Sequence, residues 1–297
     1  MRDELSGGGR LKLEGLLQGL PKNSPASKAV DAGEIDAVID YAGSNVVLLP
    51  AARRALREAE GQSPAASDEA AIANTLLAAL PRAEYQRLLA SLEPLTLRSG
   101  EVLQEQGAAV PYVYFPVDCV ISLLATADDD QGLQVGLVAC EGMVGVSLAL
   151  GADVSSVRAL VLMTGTALRM KAARFLSAFR QCPPLQLAVY RYAHAKLALA
   201  RQAVACGCFH ASEARFARWL LTMGDLARSE EFFLTQALAA DLLGVRRATV
   251  NEAAGPFQTR GLISFSRGRI RILQRKKLEA AACACYVTDR RLPVSGS

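Results

Sequence analysis

The sequence predicts an α+β chain in which an antiparallel β-roll, a long helix and a C-terminal winged helix-turn-helix follow one another. Three observations predict it. Between Leu95 and Arg169 the apolar period is two, and turn residues recur at Ser99-Gly100, Gln106-Gly107, Pro116, Asp128-Asp129-Asp130, Glu141-Gly142, Gly151 and Thr164-Gly165. Short strands at such spacing close into a roll or barrel. Behind Pro183-Pro184, the residues Leu185, Tyr192, Leu199 and Cys206 recur every seventh position. From Thr235 to Ile263 two short helical patterns flank Gly244, and the segment after them alternates around Arg267-Gly268.

Taken in order, residues 1–66 form an N-terminal extension. Ser6-Gly7-Gly8-Gly9, Pro21 to Pro25 and Gly61 to Pro64 are linker-like. Between them Ile35–Asp40 and Val46–Leu49 suit a small hairpin, and Ala51–Glu60 a short helix. So few apolar residues cannot sustain a core alone. A sensor-like roll is expected over 67–182, entered through helical sequence from Ala70 to Leu92 in which Pro81 suits the start of a second helix. Asp128 to Gly132 reads as a polar hairpin tip. Helical pattern returns at Lys171–Gln181.

The seam of Leu185, Tyr192, Leu199 and Cys206 assigns 183–209 to one helix. Three heptads favour a self-pairing helix, and hence a homodimer, over a helix buried against its own domain. Residues 210–297 then hold an amphipathic helix from Ser212, with Trp219 and Phe216 on its apolar side, and the helix-turn-helix.

Composition narrows the function. With 51% hydrophobic and 21% charged residues the chain is an ordinary globular protein. Its apolar runs stop short of the ~18 residues that span a bilayer. No signal-peptide pattern opens the chain, so a cytoplasmic location away from membranes is expected. Net charge is +4, but between Gly244 and Lys277 stand Arg246, Arg247, Arg260, Arg267, Arg269, Arg271, Arg275, Lys276 and Lys277 against Glu252 alone. Such a local excess suits a polyanion.

The 7 cysteines show no disulfide-framework spacing. Cys206 and Cys208, followed by His210, admit a metal or redox site. However, C-x-C sends two thiols to different sides of a helix, and zinc sites usually show C-x₂₋₄-C. Small-residue helix packing is favoured, with no metal and no cofactor expected. The 2 histidines, His194 and His210, have no nucleophile–base spacing, which argues against an enzyme.

In the helix-turn-helix, Thr235 caps a helix carrying Leu238, Leu242 and Leu243, and Gly244 ends it. The second helix opens with polar residues, as a major-groove helix does. Gly255-Pro256 falls inside it, and a kink or early end near Ala254 is expected.

The order of elements and five local segments resemble the cyclic-AMP-receptor/Fnr (Crp–Fnr) transcription regulators over roughly Ser67 to Tyr286. The segments are Leu97 to Leu103, Val113 to Pro116, Glu141 to Gly145, His210 to Arg215, and Thr235 to Ile263. The resemblance implies a dimeric regulator of transcription that binds palindromic double-stranded DNA, with RNA polymerase as a further partner. It places Arg247 as base reader, with Thr249 and Asn251 on or near the same face. Arg246, Gln236 and Thr235 become candidates for phosphate, and Arg267 and Arg269 for the backbone or minor groove.

The family's cyclic-nucleotide cassette corresponds here to Gly145 through Gly151 and Ser155 through Ala159. Val146 stands where the ribose-binding glutamate belongs, and Ser156-Val157 stand where the phosphate-binding Arg-Ser/Thr belongs. Arg158 would reach the site only through a longer loop. A buried phosphate without its charge partner is costly, so cyclic AMP is not expected to act in the usual way. The alternative is a ligand- or redox-sensing module working through protein contacts, with weak DNA binding.

Overall fold

The computed structural model describes residues 74–126 and 132–291, with the backbone of the strands Ala37–Asp40 (β1) and Asn45–Leu48 (β2). The chain divides into two compact units, Met1–Ser63 and Pro64–Ser297. In the first, β1 and β2 pair antiparallel from Ala37 opposite Leu48 to Asp40 opposite Asn45, the hairpin expected there. The helix expected at Ala51–Glu60 and the tip Asp128–Gln131 lie outside the described residues.

The second unit opens with two short helices, Thr75–Ala78 (α1) and Arg82–Leu89 (α2). Asn74 caps α1 by accepting from the Leu77 N–H at 3.2 Å. Its amide also donates to the carbonyls of Pro116 and Gly142, at 2.9 and 2.8 Å. Pro81 precedes α2 as its cap, where its missing N–H costs nothing.

The roll consists of β3 (Glu93–Leu97), β4 (Val102–Gln104), β5 (Tyr112–Pro116), β6 (Val120–Thr126), β7 (Gly132–Val138), β8 (Arg158–Met163) and β9 (Gly165–Lys171). They form two antiparallel sheets, ordered β3-β9-β5 and β4-β8-β6-β7. Side-chain alternation explains how both sheets are covered on both faces. From β3, β5 and β9, Leu97, Tyr114 and Ala167 point into the roll. Val113, Phe115, Leu168 and Met170 point outward to α1, α2 and the helices that follow.

On β8, Ala159 and Val161 face the roll interior, while Leu160 and Leu162 join the core of the C-terminal domain. This two-sided burial is why β8 reads as a continuous apolar run.

Beyond the roll, α3 (Ala172–Gln181) leads to α4 (Pro183–Phe209), a 27-residue helix. Here the seam read from the sequence is corrected. Leu185, Tyr192 and Cys206 are buried inside their own chain at 1% exposure, and Leu199 is half-buried. The Tyr192 hydroxyl donates to the Met143 carbonyl at 2.9 Å. Its ring lies so close over Gly142 that a Cβ there would sit 2.1 Å from it. At about 100° per residue, the other side of α4 carries Leu187, Tyr190, Leu197 and Val204, exposed at 52%, 49%, 49% and 70%. The heptad was real, but Leu185 and Tyr192 are covered by the roll and its helices, and Cys206 by Ala214, Cys283 and Cys285 of the same chain.

The C-terminal part comprises α5 (Ser212–Ala227), β10 (Glu231–Phe233), α6 (Gln236–Leu243), α7 (Arg247–Thr259), β11 (Ile263–Ser266), β12 (Arg269–Ile272), α8 (Arg275–Ala281) and α9 (Cys285–Arg291). Trp219 and Phe216 are core, as expected, and the indole N–H donates to Gln134 on β7 at 3.1 Å. No helix among the described residues is long and apolar enough to cross a membrane.

Candidate nucleic-acid interface

Local chemistry sets the reading head. Thr235 accepts from the Leu238 N–H at 3.1 Å and starts α6, a cap worth about 1 kcal/mol. Gly244, at φ +63°, ends it in the left-handed conformation that glycine adopts without strain. The turn continues through Val245 and Arg246, so α7 begins at Arg247, two residues later than its sequence pattern starts.

Val250, Ala253, Ala254 and Phe257 form the buried side of α7. The Phe257 ring stacks on Phe216 of α5 at 6.4 Å between centroids. This packing overrides the proline. The early end expected near Ala254 does not occur, and the helix runs through exposed Pro256 to Thr259. The ~3 kcal/mol cost of an interior proline is offset by a side that is almost wholly buried on both sides of it.

The opposite side of α7 presents Ala248, Asn251 and Glu252, all exposed. Arg247 sits half-buried at the edge of this face, with Nε and Nη2 each 3.4 Å from Oε1 of Gln236. Arg246 is exposed at the cap position and its side chain makes no cap hydrogen bond. Thr249 is half-buried, like Arg247, and sits at the opposite edge of this face. One assignment needs correction. Thr235 is only 4% exposed and its hydroxyl serves the cap, so it does not stand on the surface as a phosphate contact.

The wing is a hairpin with a two-residue loop. Arg267 and Gly268, at φ 49° and 74°, both take the left-handed conformation of the tight turn that suits strand twist. A Cβ at Gly268 would lie 2.8 Å from the Phe233 ring. This turn pushes Arg267 into solvent.

The cationic run is smaller in space than in sequence. Glu231 takes Arg269 at 2.8 Å and Arg271 at 3.6 Å. Arg275 is bound by Asp225, by Glu230 at 2.7 Å and by Glu279 at 3.3 Å, and the Tyr286 hydroxyl accepts from it at 2.9 Å. Those acids lie outside the Gly244–Lys277 window, so a window tally could not find them. Arg246, Arg260, Arg267, Lys276 and Lys277 are exposed and have no acidic partner within salt-bridge distance among the described residues. Asp241 on α6 has its carboxyl pushed up to about 6 by burial.

In the roll, Gly145, at φ +91°, opens a 3-10 turn over Val146–Leu150. A Cβ there would meet Val113 at 3.1 Å and Gln104 at 3.3 Å. Val146 is half-buried, Ser156 exposed and Val157 half-buried. Arg158 pairs with Glu105 at 3.3 Å. One further group of ligand-type atoms converges among the described residues, from Cys206, His210, Cys283 and Cys285.

Residues 214–281 match the family model of the Crp-like helix-turn-helix domain. Solved structures with the same fold include a transcriptional regulator of the crp/fnr family from Eubacterium rectale, at 16% identity and a TM-score of 0.57, covering 69% of this chain and 96% of that one. FixK2 from Bradyrhizobium japonicum aligns at 17% identity and a TM-score of 0.56, covering 65% and 98%. The c-di-GMP responsive regulator CLP from Xanthomonas campestris aligns at 16% and 0.56, covering 65% and 99%. No curated protein matches the sequence. The C-terminal part of the chain is a Crp-like helix-turn-helix domain, carried on the fold of the Crp/Fnr transcriptional regulators.

Proposed function

We propose that the chain is a homodimeric regulator of transcription that lays α7 in the major groove of a two-fold symmetric operator. The observation that carries this is the outer face of α7, with Arg246 and Arg247 at its start and Arg267 at the wing tip. Arg247 suits guanine O6/N7, Asn251 adenine, Ala248 the thymine methyl and Glu252 cytosine N4. Gln236 holds the Arg247 guanidinium in place, and Arg246 reaches phosphate near the start of the helix. Arg269 is a weaker candidate because Glu231 competes for it.

Leu187, Tyr190, Leu197 and Val204 form the dimer stripe in place of the buried seam, since it is the side of α4 left apolar and exposed. The pairing would set two reading heads about 34 Å apart, one DNA turn. In this reading 67–182 is a sensor-like roll, 183–209 the dimer helix and 210–297 the reader. Cyclic AMP does not act in the usual way: Val146 offers no ribose acceptor and Arg158 is engaged by Glu105. RNA polymerase is the partner expected at a promoter.

The test is binding of the full chain to promoter-length duplexes selected from genomic fragments. Affinity should fall steeply with salt, and the complex should hold two chains per site. Salt-independent or absent binding overturns the reading. Calorimetry with cyclic AMP should give no heat, and micromolar binding would restore the ordinary cassette.

A further inference from the structure

The last turn of α4 and the link between α8 and α9 meet in a small cluster that the DNA reading does not use. Cys206 and His210 are four residues apart, one turn of helix. Cys283 and Cys285 flank Ala284 after α8 ends. Cys206, Cys283 and Cys285 are buried at 1%, 8% and 3% exposure, and His210 is half-buried. The sulfurs of Cys206 and Cys283 are 3.5 Å apart, and Cys285 Sγ is 3.5 Å from His210 Nδ1. All four ligand atoms lie within 4.8 Å of one another.

We propose that these four side chains form a tetrahedral zinc site that clasps the C-terminal segment to the end of the long helix. A tetrahedron with Zn–S arms of ~2.3 Å and a Zn–N arm of ~2.0 Å has edges of about 3.5–3.8 Å, close to the Cys206–Cys283 and Cys285–His210 separations. Three thiols and one imidazole form one of the usual structural zinc sets. As the metal binds, the three thiols release their protons to solvent while the Zn–S bonds form.

Polar groups also face the cluster. The Gln202 amide donates to Cys285 Sγ at 3.1 Å. The Arg218 guanidinium lies near enough to Cys206 for the two to interact electrostatically, and it pairs with Asp289 at 2.7 Å. A cation there offsets the net negative charge of three thiolates on a divalent ion, and such outer partners tune a metal site. A disulfide fits less well: the Cys206–Cys283 sulfurs stand well beyond the ~2.05 Å S–S bond, and that bond would leave Cys285 and His210 unused.

Cys208 points away and is exposed, so the C-x-C pair visible in the sequence is not the site. The second pair lies more than seventy residues on, and only the fold brings it back.

The test uses the full chain, stripped with chelator and titrated with Co²⁺ alone and then Zn²⁺. Co²⁺ should bind at one equivalent, with tetrahedral d–d bands and strong thiolate charge-transfer absorption that Zn²⁺ abolishes. Cys285→Ser and His210→Ala should weaken or alter these bands, and Cys208→Ser should leave them unchanged. Thiol alkylation of the unsubstituted protein avoids any folding defect of a variant. With Zn²⁺ present Cys206, Cys283 and Cys285 should be protected, and chelation should expose them while Cys208 reacts at the same rate. Absence of a cobalt spectrum, protection unaffected by chelation, or a Cys206–Cys283 disulfide in protein kept in reductant would each overturn the proposal.

Discussion

The roll and the reading head each set an arginine beside a polar side chain, and the two partners differ in charge. In the roll, Gly145 begins the turn and Arg158 is drawn to Glu105 at 3.3 Å. In the head, Gly244 begins the turn and Arg246 stays in solvent, while Arg247 meets a neutral amide, Gln236. An acid beside an arginine neutralises it. A neutral amide orients an arginine without neutralising it. The same contrast divides the wing, where Arg267 is exposed and Arg269 and Arg271 share Glu231.

The head's contacts gain most from being doubled, so the largest effect is expected on the exposed side of α4. Leu197→Asp combined with Val204→Asp should yield monomers by analytical ultracentrifugation. Affinity for a palindromic duplex should fall by about 10²–10⁴, the usual yield of linking two binding modules. Tyr192→Ala should instead unfold the roll, because that ring is packed on Gly142 inside its own chain. Dimers persisting in the double aspartate variant would return the pairing to another surface.

Next in size is Arg247→Ala, with a loss of about 1–3 kcal/mol per half-site and relaxed preference at one base position. A binding selection with the variant measures both. Gln236→Ala should produce a smaller loss at the same base, since it removes the orienting group alone. Unchanged sequence preference in Arg247→Ala would move base reading to Asn251 and Glu252.

The two regions meet where α6 packs near β7, with a Cβ at Gly244 lying 2.7 Å from Leu133. Asp241, with its carboxyl pushed up to about 6 by burial, holds its proton in the folded chain at pH values where the unfolded chain has lost it. Stability therefore falls as pH rises from about 4 to 6 and stays lowered at neutrality. Asp241→Asn should raise stability at pH 7 by about 1 kcal/mol, solvent screening of this half-exposed group reducing the full value, and should flatten this dependence, as measured by thermal melts across pH. An unchanged profile would show that water reaches the carboxylate.

Much of this architecture was legible because it is local. The period of two, Thr235 at a helix start, Gly244 at its end and the Arg267-Gly268 turn each follow from a few neighbouring residues. What escaped was long-range. The Leu185–Cys206 seam is apolar at helical spacing whether a partner or its own chain covers it, and no periodicity separates the two. Pro256 carried a correct local penalty, overcome by Phe257 and Phe216 from another helix. Glu231 neutralises the wing from a strand outside the counted window, and Cys283 joins Cys206 only after the chain has folded back.

The smallest effect distinguishes an engaged cation from an available one within the same hairpin. Each phosphate contact adds about 0.9 to the slope of log affinity against log salt on duplex DNA. Arg267→Ala should lower that slope by about this amount for every sequence tested, because an exposed cation at the wing tip gains a phosphate and loses nothing else. Arg271→Ala should lower it less, since removing that side chain also leaves Glu231 less neutralised and nearer the DNA. Glu231→Gln should then steepen the slope by releasing both Arg269 and Arg271. If Arg267 and Arg271 gave equal slopes, the pairing to Glu231 would not survive in solution, and local acids could no longer explain which arginines meet the phosphate.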